Sequence, residues 1–239
     1  MAAVELLPSV VDPDEAIADR RARLQLVSDR VAPMALARER TLPLLDELTS
    51  LFPEGLRRGS TVSVAGSGST ALALAVAAAA STAGSWVAVV GDPDLGLAAA
   101  EEVGVALQRV LVVDPEPSSW SAAVAALVGA VDIVLVAPRH RVRDAEARRL
   151  SARLRERGSV LVCTNGRWPR GADVQLEVVE SKWSGLGCGH GVLQSRRVTV
   201  NGGGRGASAR PRSADMLLPG PLGRPELVPV EAPALATQS

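Results

Sequence analysis

The 239-residue chain carries 26 Lys plus Arg against 26 Asp plus Glu, so its formal charge is zero. Nothing draws the chain as a whole to nucleic acid or to an anionic membrane. Hydrophobic residues make up 47% but aromatic ones only 2%, so a core has to be built from Ala, Val and Leu. The length suits one domain of about 150–200 residues plus extensions.

In chain order, the first residues, Met1 to Pro8, show no cationic region and no long apolar run, so no secretory leader is expected. Asp12, Pro13 and Glu15 are placed as N-cap, N1 and N3 of a helix running to about Arg30. Thr41-Leu42-Pro43 opens a second short helix that ends near Phe52, and Phe52 to Ser60 is a turn. Val62 and Val64 alternate with small residues in a strand that ends at Gly66. A helix of Ala and Leu follows to about Ala80. Ala71 to Val90 is apolar on average, but Ser81, Thr82, Gly84 and Ser85 interrupt it, so a membrane span is not expected.

Trp86 to Val90, Arg109 to Val113, Asp132 to Val136 and Val160 to Thr164 read as further strands. Leu97 to Val105, Ser121 to Val128 and Asp144 to Arg157 read as the helices between them. That alternation means βαβ units and a parallel sheet. Asp173 to Val179 and Val192 to Val200 are strands joined by the Gly-rich link Gly185 to Gly191, placed antiparallel at one edge. From about residue 205 the composition is Gly, Arg and Pro, and an extended or disordered tail is expected. The expected division is a helical extension over 1–40, a core over 41–204 and a tail over 205–239. Cys163 and Cys188 stand in no metal spacing and read as reduced thiols of a cytosolic protein; no metal is expected.

The stretch Thr61 to Leu74 has the layout of a phosphate-binding loop, strand then Gly-rich turn then helix. Only Ser67 separates Gly66 from Gly68, so the loop is shorter than the motif, and Ser69 stands where the motif has Lys. Gly66, Ser67, Gly68, Ser69 and Thr70 are therefore a degenerate phosphate loop: an anion site at a helix start, or a tight turn.

These segments resemble the RecA-like recombinase core over about residues 45–204. The resemblance rests on Gly55 to Gly59, Val62 to Gly66, Thr70 to Leu74, Glu102 to Val105 and Val131 to Val136. Within that superfamily, Trp183 to Gly191, Arg205-Gly206, Arg210 to Arg212 and Leu217 to Gly220 are similar to the ImuA-type proteins of bacterial mutasomes, in particular the actinobacterial ImuA-prime branch. The resemblance implies an α/β RecA-like core, mostly parallel, with antiparallel strands at its C-terminal edge. It places the Mg²⁺-binding hydroxyl at Thr70, the acid of the second motif at Ala137, and the water-polarising acid near Pro93, beside Asp92 and Asp94. With Lys and one carboxylate absent, phosphoryl transfer loses its charge stabilisation. The expectation is a pseudo-ATPase without a cofactor.

What the resemblance implies for function is an adaptor in DNA-damage-induced translesion synthesis. Its partners would be a Y-family-like scaffold protein and an error-prone, alpha-subunit-type polymerase, with RecA or DNA as further contacts and no membrane. Two other readings stay open, a SulA-like cell-division inhibitor and a divergent ATPase acting on DNA. Arg139, Arg141 and Arg143 form a basic run that is either a solvated helix face or a contact for DNA or a partner. Trp183 is either a packing anchor or a contact, and Leu217 and Leu218 read as an apolar islet in the tail.

Overall fold

A computed structural model describes residues 40–164, 168–169, 171–186 and 191–228. The helix expected over residues 12–30, Cys188, His190 and residues 229–239 lie outside them.

The chain first makes a small antiparallel pair, β1 (Thr41–Leu42) with β2 (Leu56–Arg57), around a 3-10 helix at Asp46–Leu51. This corrects the short helix expected from Thr41. Pro43 disfavours helical backbone at the residue before it, so Leu42 is extended. The turn tightens only at Asp46, where the Thr49 hydroxyl donates to the Asp46 carbonyl at 2.7 Å.

The main sheet has nine strands. Its parallel part is built from β3 (Thr61–Gly66), β4 (Val87–Val90), β5 (Val110–Val113), β6 (Ile133–Val136), β7 (Val160–Cys163) and β8 (Val174–Leu186). Its antiparallel part is β9 (Gly191–Gly204), β10 (Arg212–Leu217) and β11 (Glu226–Leu227). The order across the sheet is β11-β10-β9-β8-β3-β7-β6-β4-β5. Four helices accompany it: α1 (Ser69–Thr82), α2 (Leu97–Val103), α3 (Trp120–Leu127) and α4 (Asp144–Arg157).

The period-2 alternation of the strands feeds two cores. Val87, Val89, Ile133, Leu135, Val160 and Val162 pack with α1 and α2 on one face. Ala88, Val90, Val134, Val136, Leu161 and Cys163 pack with α3 and α4 on the other. Central strands buried on both faces must be apolar throughout, which is why β6 reads Ile-Val-Leu-Val. α1 is buried nearly all round, and its alanines let it lie close to the sheet. Among the described residues, no helix is long and apolar enough to cross a membrane.

The tail needs correction. Residues 212–217 form β10, paired with β9 from Arg212↔Gly202 to Leu217↔Arg197, and β11 pairs in turn with β10. Met216 and Leu218 are fully buried. Pro211 and Pro219 stand just outside the strand, where their missing N–H takes nothing from the ladder. The hairpin of β8 and β9 is also longer than expected: β3 follows β8 only to Val178, and the two strands pair onward to Leu186↔Gly191. Trp183, Leu186, Val192 and Leu193 are exposed on that ribbon.

Candidate functional site

The degenerate phosphate loop closes between β3 and α1. Gly66 and Gly68 both have left-handed backbone, φ 90° and 79°. Gly68 is the N-cap of α1 and supplies no side-chain cap, while its carbonyl takes the first helical hydrogen bond from Leu72 N–H at 3.1 Å. Ser67 is exposed, Ser69 buried and Thr70 half-buried. The turn thus leads β3 into a 14-residue helix, whose start is its positive end.

The cradle is filled from within. A Cβ built on Gly68 would fall on the guanidinium of Arg196, which reaches in from β9. Arg196 is 5% exposed. Its Nε donates to the Leu218 carbonyl at 2.8 Å, and its guanidinium carbon lies 5.5 Å from the centre of the Trp183 ring. Its Nη2 is buried and has no hydrogen-bond partner among the described residues. Burial pulls the guanidinium below its usual pKa. A cation at the positive end of a helix is the reverse of what the dipole favours. The Leu218 carbonyl and the Trp183 ring hold it there, stacking and hydrogen bonding together.

The nucleotide positions implied by the resemblance do meet. Thr70, Asp92 and Ala137 line one crevice with Leu95 and Thr164. Its enclosed volume is about 10 Å³, room for about one water. Asp92 gives its carbonyl to Leu95 N–H at 3.3 Å, a turn contact, and Asp94 is exposed.

The other candidates disperse. Arg139 is 3.6 Å from Asp114 at the surface. Arg141 and Arg143 are exposed, and the Arg143 backbone N–H donates to Glu146 Oε2 at 3.3 Å as α4 begins. None of the three lines the crevice. Trp183 is 43% exposed, the stacking partner of Arg196 on one side and open to solvent on the other. Leu218 is fully buried, so it is a core residue and not the exposed contact expected from the sequence; Leu217 is half-buried. Arg196 itself escapes a reading by composition. Its signal is periodicity: Val200 and Val198 are fully buried, and two residues further back the same face holds Arg196.

Residues 50–170, just over half of the chain, match the model of a family described as the MT3502 N-terminal domain, and the chain belongs to that family. It is 35% identical over 134 residues to the "Uncharacterized protein Rv3395c" of Mycobacterium tuberculosis, an alignment that covers 52% of this chain and 65% of that one. The match thus spans less than two thirds of that relative's length. Among solved structures it is similar to a RadB recombinase crystal structure, with a TM-score of 0.56 at 14% identity, covering 80% of this chain and 99% of that one. At that identity the likeness speaks for the fold alone, and the fold is RecA-like: a mostly parallel sheet flanked by helices with antiparallel strands at one edge.

Proposed function

We propose that this chain is a non-catalytic RecA-like accessory protein of the ImuA type, on the ImuA-prime branch, acting in translesion synthesis after DNA damage. In this reading it is a cytoplasmic pseudo-ATPase that needs no cofactor. It joins a Y-family-like scaffold protein to an error-prone, alpha-subunit-type polymerase.

The observation that carries the reading is the Arg196 guanidinium seated against Gly68, in the turn that matches a phosphate loop. Phosphoryl transfer is almost entirely positioning and charge stabilisation. Here the cradle is closed, Ser69 replaces the Lys, and Ala137 stands where an acid is needed. The closer resemblance finds support in the same place. Trp183 and Leu218 belong to two of the four stretches on which it rests, and both touch Arg196.

The test is damage-induced mutation frequency in a strain lacking the gene, complemented with the wild type or with Thr70→Ala. The reading expects induced mutagenesis to fall on deletion and both forms to restore it. Unchanged mutagenesis on deletion would overturn the translesion role. Failure of a folded Thr70→Ala protein, with Mg²⁺-ATP turnover in the wild type, would overturn the non-catalytic one.

A further inference from the structure

At the other end of β3 lies a second concave surface. β3 runs from Thr61 to Gly66, five steps at about 3.3 Å, so its two ends are roughly 16 Å apart. The cradle sits at Gly66. At the Thr61 end, a cleft of about 210 Å³ is lined by Arg57, Arg58, Arg155 and Arg205, with Glu54 and Asp173. The arginines come from four places: the end of β2, the turn between β2 and β3, the last turn of α4, and the residue after β9. Gly59 makes this possible. A Cβ there would stand 3.0 Å from the Arg155 Cα, so only a glycine lets the turn that follows Arg57 and carries Arg58 lie against α4.

The four arginines outnumber the two carboxylates of the lining. Asp173 accepts from the Thr61 backbone N–H at 2.8 Å and from the Thr61 hydroxyl at 2.9 Å. Glu54 is committed to Arg57 at 2.9 Å, and Arg58 to Asp132 at 2.9 Å. Arg155 and Arg205 have no ion pair among the described residues. A second hollow, of about 380 Å³, shares Arg155, Asp173 and Arg205 and adds Arg148. In a chain of zero net charge, this is a local excess of cation.

We propose that this cleft binds a compact phosphoanion, a diphosphate or a phosphomonoester group, gripped between Arg155 on α4 and Arg205 at the end of β9. Guanidinium forks supplied by different elements suit a tetrahedral oxyanion, whose oxygens point several ways, better than a planar carboxylate. The volume admits a group of that size. The site is independent of the cradle and of the translesion reading.

The experiment is calorimetric titration of the full chain with sodium pyrophosphate, and separately with inorganic phosphate, at constant ionic strength. Saturable binding is expected, weakened about tenfold by Arg155→Gln and by Arg205→Gln, as for loss of one charged hydrogen bond. Arg157→Gln, on the same helix but outside the cleft, should leave it unchanged. Both tested side chains are exposed, so the variants should keep the wild-type melting temperature. No saturable binding of either anion, or equal loss in Arg157→Gln, would overturn the proposal. So would a single-stranded oligonucleotide that depends on Arg155 and Arg205 while pyrophosphate does not bind: the ligand would then be a polyanion.

Discussion

Gly68→Ala tests the filled cradle directly. Two costs add. Gly68 has φ 79°, and a left-handed residue with a Cβ costs about 1–2 kcal/mol. The new methyl also falls on the Arg196 guanidinium, which has to leave and give up its 2.8 Å bond to the Leu218 carbonyl. A hydrogen bond from a charged donor contributes about 1.5–3 kcal/mol. The sum is about 2.5–5 kcal/mol, which for a chain of this size lowers Tm by roughly 10 °C. The second cost depends on Arg196 being present. In an Arg196→Ala background, Gly68→Ala should cost only its backbone part, about 1–2 kcal/mol. Urea unfolding of the wild type, both single variants and the double variant closes the cycle. A coupling of about 1.5–3 kcal/mol is expected. Additivity within about 0.5 kcal/mol, the behaviour of independent sites, would refute the contact.

Burial pushes the Cys163 thiol up to about 12 from an ordinary 9.0, so its contribution to stability is full below pH 9 and is lost as pH rises from there toward 12. Urea unfolding should show up to about 1.4 kcal/mol lost per pH unit in that window, and Cys163→Ala should lack that slope. Asp173→Ala removes the acceptor of both the Thr61 N–H and its hydroxyl, and should cost about 2–3 kcal/mol in the same assay. A chain ended after Asn201 loses β10 with its fully buried Met216, exposes the β9 edge, and should aggregate on expression.

Local pattern made the parallel half of the fold legible. Val62 and Val64 before two glycines gave β3 and the turn, and the apolar run from Ile133 gave β6. The Asp144–Arg157 helix has the predicted bounds because its signals are local: acids in its first turn, arginines in its last, and Gly158 in the left-handed C-cap position. The antiparallel half was not legible in the same way. β10 lies among Arg, Pro and Gly, and Met216 becomes a core residue only because β9 presents Val198 opposite it. That is a pairing between segments, invisible to composition. The same holds at the cradle. Periodicity could place Arg196 on the buried face of its strand, but only the sheet order, β9-β8-β3, brings it over Gly68.

A buried arginine is weak grounds for stability, since desolvation offsets much of what its contacts return. Arg196 is an acute case, because it also opposes the α1 dipole and leaves Nη2 without a hydrogen-bond partner among the described residues. Its retention in this chain therefore needs a reason other than packing, and the location of its partners suggests one. Trp183, Arg196 and Leu218 all lie beyond residue 170, where the match to the family model ends, whereas Gly66 to Thr70 lie within it. The matched region supplies the strand, turn and helix, and the C-terminal antiparallel strands bring Arg196 against that turn. Through Trp183 on β8 and the Leu218 carbonyl just after β10, Arg196 fastens the added strands to the turn between β3 and α1.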